Sequence, residues 1–333
     1  MSKVVLGFSG GVDSAVSAEL LKKQGFQVYG LYLDNTDEAA RLAAVTAAEQ
    51  RGIDLKVLDV KAQLEERVCR PFTEAYLRGE TPNPCILCNP TLKFKSLMEY
   101  ADAVGAAFVA TGHYARAAGG RIYKGRPAND QSYMLCRLTR QQAERALFPL
   151  GDYEKAQVRQ LAEELGLPAA HKPDSMEICF IPDKDYIGWL SRRAAMPPEG
   201  DFVFHGQVVG RHEGIHRYTV GQRRPGLMDG RKVYISRIDP VSNRIELALW
   251  EELFQTEVTA RDFNWLIEPP RSPICASVRV RHTKWENPPC SAVVEGDRVR
   301  IRCMEPVRAP AAGQSAVLYD GDQLLGGGFI VSE

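Results

Sequence analysis

Two cysteines in the segment NPCILCN, Cys85 and Cys88, are the residues whose spacing most directly suggests chemistry. A Cys-x-x-Cys pair can form half of a zinc site, a redox pair, an anchor for a metal cluster, or a nucleophile with its partner. Of the eight cysteines in the chain, only these two lie close together in sequence. A further cysteine-bearing segment, DSMEICFI, places Cys179 well downstream. The spacing alone leaves all of these kinds of site open.

A glycine-rich turn near the N-terminus is the second motif that could do chemistry. In LGFSGGVDSAVSAELL, the predicted turn between the first strand and the first helix contains Ser9, Gly10, Gly11, Val12, Asp13 and Ser14. Backbone N–H groups and the helix dipole favour an anion at such a turn, and glycines let the backbone approach phosphate oxygens. The lysine of the G-x-x-x-x-G-K-[ST] loop is missing, so the turn is not a Walker loop. Alternatively, Ser-Gly-Gly only forms the turn, and Asp13 or Ser14 caps the helix.

The composition indicates a globular chain without a charge bias. It has 333 residues, of which 44% are hydrophobic and 25% charged, and we expect two or three domains. With 42 basic and 42 acidic residues, the net charge is zero, so RNA binding would depend on local patches. The N-terminal apolar run is too short for a signal peptide or a membrane span. We therefore expect a cytoplasmic protein with no membrane partner, in which cysteines are thiols unless they bind metal.

The elements that must position these motifs alternate between strand and helix in the first half of the chain. Strands are predicted at KVVLGF, QVYGLYL, DLKVLDV and AAFVATG, and helices at SAVSAELLKKQG, residues 37–51 and residues 90–104. This alternation predicts a parallel sheet with helices on both faces, within a first domain of residues 1–150.

The second half is predicted to contain two further domains. Residues 151–201 include a helix that stops at Gly166 and Pro168, and we expect a small helical domain there that carries Cys179. From residue 202 the pattern changes to short alternating segments such as VYISRI, RIELAL, RVRIRCM and SAVLYD. These segments predict an antiparallel β-barrel over residues 202–333.

The complete Ser-Gly-Gly-x-Asp-Ser motif directly after the first strand resembles the pyrophosphate loop (PP-loop) of the ATP pyrophosphatases, whose domain is adenine nucleotide alpha hydrolase-like. Those enzymes cleave ATP between its α and β phosphates to adenylylate a substrate. The resemblance implies that ATP, with Mg²⁺, binds at the carboxyl edge of the parallel sheet. The implied nucleotide-binding residues are Gly7, Phe8, Ser9, Gly10, Gly11, Val12, Asp13, Ser14, Leu33 and Gly112.

Ordered segments along almost the whole chain resemble the bacterial tRNA-specific 2-thiouridylase family. They are FSGGVDS, TPNPCILCN, LKF, ATGHYAR, DQSYML, LFPLG, DSMEICFI, TVGQRRPGL and GQSAVLYDG. The resemblance implies a tRNA-uridine 2-sulfurtransferase, which adenylylates the C2 oxygen of the wobble uridine with ATP and then replaces AMP by sulfur. It also implies that Cys179 carries the sulfur as a persulfide and that Cys88 is the other catalytic thiol. The sulfur donor would be a cysteine desulfurase or a relay protein.

Apart from Cys85, the cysteines divide into two predicted catalytic thiols and five predicted structural ones. A thiolate is the working form at Cys88 and Cys179, so each needs a nearby cation or helix end, and Lys93 and His113 are candidates. The other cysteines are predicted to be small buried hydrophobic residues: Cys69, Cys136, Cys275, Cys290 and Cys303.

Binding of an anticodon by a chain of zero net charge requires local contacts to phosphate and a way to present one base. Alternation places Arg298, Arg300 and Arg302 on one strand face, where nearby acidic residues could also balance them. The positions that match tRNA-contacting residues of the family are Asn83, Pro84, Cys85, His113, Asn129, Asp130, Gln131, Arg281, His282 and Gln314. At Asn129 the family more often has Lys, which removes one phosphate contact here. The target base is expected to leave its stack to reach the sulfur.

Cys85 is the other departure from the family, which usually has Asp at this position. It could be a neutral variant, an additional resolving thiol, or one of three cluster ligands with Cys88 and Cys179. In the third case the three thiolates would hold a [4Fe-4S] cluster whose fourth iron stays open, and the sulfur would come from cluster-bound sulfide. Zinc is not favoured, because a fourth ligand at the usual spacing is absent.

Two functions of other classes compete with tRNA thiolation. An amide-forming ligase could use the same loop to adenylylate a small acid or amide, and it predicts that Cys88→Ser keeps its activity. A non-catalytic RNA-binding iron–sulfur protein is the second rival. The intact SGGVDS segment argues against it, since a carrier has no use for an ATP loop.

Overall fold

The computed structural model describes residues 1–35, 37–171, 178–181, 183–228, 230–283 and 287–332. The chain divides into two compact units. Unit 1 consists of Met1–Val68, Cys85–Met176 and Asp322–Leu325, and unit 2 of Cys69–Pro84, Glu177–Gly321 and Gly326–Glu333.

The secondary structure contains strands throughout and helices mainly in the first 191 residues. The helices are α1 (Val12–Lys23), α2 (Glu38–Glu49), α3 (Lys61–Leu64), α4 (Arg70–Leu77), α5 (Pro84–Cys88), α6 (Phe94–Val104), α7 (Arg140–Arg145), α8 (Lys155–Glu164) and α9 (Tyr186–Ser191). The first strands are β1 (Lys3–Gly7), β2 (Gln27–Asp34), β3 (Asp54–Asp59), β4 (Phe108–Ala110), β5 (Ala115–Ala118), β6 (Arg121–Lys124), β7 (Ala146–Leu147), β8 (Gly200–Phe204) and β9 (Gln207–His212). The later strands are β10 (Arg223–Met228), β11 (Arg231–Asp239), β12 (Arg244–Ala248), β13 (Phe254–Trp265), β14 (Ile274–Arg279), β15 (Pro289–Glu295), β16 (Arg298–Arg308), β17 (Ser315–Asp320) and β18 (Gln323–Ile330).

A parallel sheet with strand order β3-β2-β1-β4-β7 forms the centre of unit 1. Its central strand β1 has fully buried Val4, Val5 and Leu6, which is the continuous apolar run expected when both faces of a parallel strand are covered. Helices α1 and α8 contribute Val16 and Val158 to the same buried cluster. The predicted parallel sheet with packed helices is therefore confirmed.

Two β-sheet arrangements make up the C-terminal part of unit 2. One is a five-stranded sheet in the order β10-β11-β12-β8-β9. The other is a closed barrel in the order β13-β16-β15-β14-β17-β18, in which β13 also pairs with β18. The predicted antiparallel barrel is confirmed, and the fold class with it. The strands before residue 254 belong to the separate five-stranded sheet. The domain boundaries at 150 and 201 stay a prediction.

In the described part of the chain, no helix is both long and apolar enough to cross a membrane.

Candidate active site

The glycine-rich loop connects β1 to α1 at the carboxyl edge of the parallel sheet. Ser14 Oγ accepts a hydrogen bond from Ser9 N (3.2 Å) and donates one to Gly11 O (3.0 Å). The Ser9 and Ser14 hydroxyl oxygens lie 3.2 Å apart, so the two side chains close the loop on itself. The N-cap residue of α1 is Gly11, and no side chain of the described residues caps this helix. The N–H groups of its first turn are therefore available to an anion.

Gly10 is required where the loop meets α2. Its φ of +72° is a left-handed conformation, and a Cβ atom there would lie 2.8 Å from Ala44 Cα. Both observations exclude a side chain at this position without a shift of the backbone. The loop is thus held between β1 and the middle of α2.

Asp13, in the first turn of α1, is fixed by two residues from distant parts of unit 1. Lys155 Nζ donates to Asp13 Oδ1 and Oδ2 at 2.8 Å each, and Tyr114 Oη donates to Oδ1 at 2.7 Å. Gly112 lies beside the same residue, because a Cβ there would be 3.1 Å from Asp13 Cβ. The alternative in which Asp13 caps α1 is not what the structure has.

Leu33 lies on the same edge of the sheet. Gly7 of β1 is in register with Leu31 of β2, so Leu33 extends two residues further toward the carboxyl end. Phe8 N donates to Leu31 O at 2.9 Å, which joins the start of the loop to β2. The structure therefore brings the implied nucleotide-binding residues together at one edge of the parallel sheet.

Residues 129–131, predicted to contact tRNA, form a turn beside this edge. Asp130 is buried, and its carboxylate accepts hydrogen bonds from Gly125 N, Ser132 N and Ser132 Oγ at 2.9–3.0 Å. Gln131 Oε1 accepts from Tyr114 N at 3.1 Å. Asn129, with its amide oriented to satisfy both neighbours, accepts from Lys155 N at 2.9 Å. These contacts hold the turn in shape, and contact with tRNA stays a prediction.

The segment NPCILCN forms the short helix α5 and runs into a π-helical turn, Asn89–Lys93. Cys85 is exposed and Cys88 partly exposed, while Pro84 is buried. Asn89 is buried, and its Nδ2 donates to Met134 O at 2.8 Å. The anchored asparagine fixes the backbone directly after Cys88, so the two thiols are presented at the surface of a held element.

His113 differs from its expected role as a cation near the thiols. Burial and the neighbouring Lys93 ammonium lower the pKa of His113 well below its usual range. Its Nδ1 lies 2.7 Å from Thr111 Oγ1, and its ring packs on Phe94 with the centroids 6.4 Å apart. The imidazole is therefore neutral near pH 7, and the expectation that it supplies positive charge is wrong. Lys93 keeps that role as a prediction.

Cys179 lies in a turn of unit 2, within the described residues 178–181. It is exposed, and Ile181 N donates to Ile178 O at 2.9 Å across the turn. The next residue, Phe180, packs edge-on against Phe72 of α4 (5.4 Å between ring centroids) and at a tilt against Trp189 of α9 (5.2 Å). This aromatic contact anchors the thiol-bearing turn. Residues 174–177 of DSMEICFI lie outside the described residues.

The barrel residues predicted to contact tRNA have structural contacts within unit 2. Gln314 Nε2 donates to Thr81 O at 2.7 Å, which attaches the segment before Asn83 to the barrel. Arg281 Nη2 donates to the carbonyls of Val220 and Ala309. His282 is exposed. Their contact with tRNA stays a prediction.

The alternating arginines of β16 are outward-facing, as expected, and acidic residues balance two of them. Arg300 pairs with Glu295, and Arg302 makes two hydrogen bonds to Glu257 Oε1 at 3.0 and 3.1 Å. Of the five cysteines predicted to be buried, the structure buries Cys69, Cys136, Cys290 and Cys303. Cys275 is exposed, so its prediction is wrong.

A cluster held by three thiolates would need Cys85, Cys88 and Cys179 to converge. Among the described side chains, no group of three or more His, Cys, Asp or Glu residues is arranged to hold a metal ion. Binding of a [4Fe-4S] cluster by Cys85, Cys88 and Cys179 therefore stays a prediction.

Lys155 and Tyr114 are site residues that sequence reasoning missed. Lys155 is the first residue of α8, where a lysine opposes the helix dipole, but no local pattern marks where this helix begins. Tyr114 follows ATGH directly, but nothing in its local pattern distinguishes it from a core tyrosine.

Comparison with known proteins agrees with this architecture. Family models match residues 2–183 (tRNA methyl transferase HUP domain), 192–248 (tRNA methyl transferase PRC-barrel domain) and 255–330 (aminomethyltransferase beta-barrel domain). The chain is 42% identical to the tRNA-specific 2-thiouridylase MnmA of Syntrophotalea carbinolica, with 98% of each chain covered. It is 41% identical to the protein of that name from Pelotomaculum thermopropionicum, over 99% of this chain and 98% of the relative.

A solved structure of a 4-thiouridine synthetase–RNA complex with bound ATP is a remote match. It is 18% identical with a TM-score of 0.38, and the match covers 57% of this chain and 50% of that one. This similarity is too low to support an argument about function.

The fold and the loop define a protein with an N-terminal HUP domain followed by a PRC-barrel domain and a β-barrel domain. The chain belongs to the family of tRNA-specific 2-thiouridylases.

Proposed function

We propose that this chain is an ATP-dependent tRNA-uridine 2-sulfurtransferase that thiolates the wobble uridine. The observation that carries the proposal is the intact, uncapped SGGVDS loop at the sheet edge of a chain that belongs to this family. A PP-loop amide ligase would share the loop but has no use for the cysteine-bearing segments. A carrier protein would have no use for the loop.

In the first step, the loop binds the phosphates of ATP. The first-turn N–H groups of α1 and the Ser9 hydroxyl donate to phosphate oxygens, Ser14 keeps the loop closed through its bond to Gly11 O, and Gly10 and Gly11 let the backbone come close. The C2 oxygen of the uridine attacks the α-phosphorus, pyrophosphate leaves, and a uridine adenylate forms. The carboxylate of Asp13 is the type of ligand that Mg²⁺ prefers, and the ion would neutralise charge on the polyphosphate.

In the second step, sulfur replaces AMP. A persulfide on Cys179 attacks C2 through its terminal sulfur, AMP leaves, and the base is joined to Cys179 through two sulfur atoms. The Cys88 thiolate then attacks the Cys179 sulfur, which releases thiouridine and leaves a disulfide between the two cysteines. A cellular dithiol would reduce this disulfide, and a cysteine desulfurase or relay protein would reload Cys179 in the cytoplasm.

Sulfur transfer to unmodified tRNA tests the proposal. Wild-type protein, Cys88→Ser and Cys179→Ser are compared with Cys275→Ser, a matched control that removes an exposed thiol from the barrel. With ATP and a persulfide donor, nucleoside mass spectrometry should detect thiouridine with the wild type and Cys275→Ser only. AMP formation is measured in the same samples: AMP formed without tRNA, kept in Cys88→Ser and Cys179→Ser and accompanied by no thiouridine, would favour the ligase. Absence of any AMP formation by the wild type would favour the carrier.

Cys85 is tested separately, because three explanations for it remain open. As-isolated protein, protein reconstituted with iron and sulfide under anaerobic conditions, and Cys85→Asp are compared in the same assay, with iron content measured in each. Equal activity without iron and in Cys85→Asp would make Cys85 a neutral variant. Cys85 would be a cluster ligand if the wild type formed thiouridine only after reconstitution, and if Cys85→Asp lost both the iron and the activity.

A further inference from the structure

We propose that Lys155 is the cation that binds the polyphosphate of ATP, in place of the lysine that the loop itself lacks. The inference rests on the proposed function and names a residue that the loop motif does not include. The loop sequence GFSGGVDS contains no Lys or Arg. ATP brings several negative charges to this loop, and backbone N–H groups carry only partial positive charge to meet them.

The side chain of Lys155 reaches the loop from far along the chain. Its ammonium contacts both carboxylate oxygens of Asp13, 142 residues away in sequence, at 2.8 Å each. The Tyr114 hydroxyl shares Oδ1, and the ammonium lies 5.7 Å from the centre of the Tyr114 ring. A hydrogen bond from Lys155 N to the amide of Asn129 also fixes the backbone. The ammonium is therefore positioned at the first turn of α1 before any ligand binds.

The electrostatics of this placement favour an anion. Lys155 is the first residue of α8, where a positive side chain opposes the helix dipole. Since Asp13 lies in the first turn of α1, the contact brings the positive ends of two helices together. The carboxylate of Asp13 thus faces an ammonium and the first turn of α1, while the carboxylate of Glu154, the N-cap residue of α8, lies at the other helix N-terminus. Asp13 alone would repel a phosphate, and its pairing with Lys155 removes that repulsion.

The ion pair is also accessible. About one fifth of the Lys155 side chain and one third of the Asp13 side chain are exposed. Water reaches both partners and screens part of their attraction. Phosphate oxygens that enter the loop can therefore share or take the ammonium, which leaves the carboxylate of Asp13 to accept other donors or a divalent ion.

Nucleotide binding without tRNA tests the proposal directly. Dissociation constants for ATP and adenosine are measured calorimetrically for wild type, Lys155→Met, Lys155→Arg and Lys95→Met. Lys95 is a matched control, an exposed lysine of α6 in the same unit. We expect Lys155→Met to weaken ATP binding about ten- to a hundredfold and Lys155→Arg to recover part of it, since an ammonium–phosphate contact is charge-assisted. Adenosine binding should change less than about twofold, because adenosine has no phosphate.

A second background separates phosphate binding from a role in holding Asp13. In Asp13→Asn protein, Lys155→Met should still weaken ATP binding. The proposal is wrong if Lys155→Met leaves ATP affinity unchanged, either in the Asp13→Asn background or in the otherwise wild-type protein. It is also wrong if Lys155→Met weakens the binding of ATP and of adenosine by the same factor. Thermal unfolding without nucleotide checks folding, and Lys155→Gln replaces Lys155→Met if that variant unfolds. If the wild type itself binds no ATP, the proposed function fails rather than this inference.

Discussion

At the residue scale, burial decides which side chains can carry charge. His113 sits against Phe94 and Phe148 and beside Lys93, and its pKa is lowered mainly because burial disfavours the imidazolium. The unfolded chain has no such constraint, so its histidine takes a proton at an ordinary pKa near 6.5. As pH falls below that value, the unfolded state binds the proton and the folded state does not, and stability is lost.

We predict that His113→Gln loses less stability on acidification than the wild type does. Between pH 7.5 and pH 5.5 the difference should reach about 1 kcal/mol, since only the wild type carries this unfavourable proton linkage. Urea denaturation of both proteins at the two pH values measures it. His212 and His216, whose pKa values burial also lowers, contribute equally to both proteins. Equal losses of stability between pH 7.5 and pH 5.5 in the wild type and in His113→Gln would contradict the lowered pKa of His113.

Burial also divides the cysteines into two reactivity classes. Cys85 and Cys275 are exposed, whereas burial raises the pKa of Cys290 to about 12 and that of Cys303 to about 11. Because the thiolate is the reactive form, we predict that iodoacetamide at pH 8 modifies the first pair well before the second. Peptide mass spectrometry over time measures the rates, with urea-unfolded protein as the control in which all four should react. Modification of Cys303 as fast as Cys85 in native protein would contradict the packing of β16.

At the element scale, the contact between the phosphate loop and α2 is the tightest requirement of the site. Gly10 has both a left-handed backbone and no room for a Cβ beside Ala44, whereas Gly25 has a φ of +86° and nothing within 4 Å. The two glycines therefore share the backbone strain and differ in the close approach. The pair separates the effect of conformation from that of packing.

We predict that Gly10→Ala is more destabilising than Gly25→Ala and also impairs ATP binding. Gly25→Ala should cost about 1 kcal/mol for the left-handed conformation alone. Gly10→Ala should cost about 1–3 kcal/mol more, because the loop or α2 must move to admit the methyl group. Denaturant unfolding with and without ATP measures both effects. Equal losses of unfolding free energy in Gly10→Ala and Gly25→Ala would show that α2 moves to admit the methyl group at no cost.

At the scale of the whole molecule, the two units are built on different β-sheet architectures. In unit 1 a parallel sheet carries the loop, and in unit 2 a barrel closed by β13 and β18 follows a five-stranded sheet. Within unit 2, the guanidinium of Arg281 donates to Val220 O, just before β10 of the five-stranded sheet, and to Ala309 O, just after β16 of the barrel. Arg281 therefore links the five-stranded sheet to the barrel. Contact of Arg281 with tRNA is a prediction, and stability measured without tRNA separates it from this structural role.

We predict that Arg281→Met destabilises unit 2 even without tRNA. Loss of the two donors leaves carbonyl oxygens to find other partners, at a cost of about 1–3 kcal/mol. Arg298→Met, which removes an exposed arginine of β16, is the control and should change stability by less than about 0.5 kcal/mol. Thermal unfolding followed by circular dichroism measures both variants. An unchanged midpoint for Arg281→Met would leave tRNA contact as its principal role.

Much of the architecture was predictable because its signals are local. Apolar runs of strand length, helical periodicity in residues 37–51 and the glycine-rich turn all act through neighbouring residues, so β1, α1, α2 and the loop were expected where they occur. The carboxyl edge of the sheet as the place for Gly7, Leu33 and Gly112 followed from parallel strand topology. The cysteine-bearing segments were identified by resemblance to the family, and their positions on α5 and on a turn by the structure.

The sequence by itself thus determined the order of the elements, the phosphate loop and the candidate thiols, because these depend on residue type and short-range pattern. Only the tertiary structure decided that Lys155 meets Asp13, that Gly10 abuts Ala44, that β13 closes the barrel on β18, and that Cys275 faces outward. Each of these depends on contacts between residues far apart in the chain or on the side of a strand that faces solvent. Such contacts are set by how whole elements pack, and no local pattern encodes them.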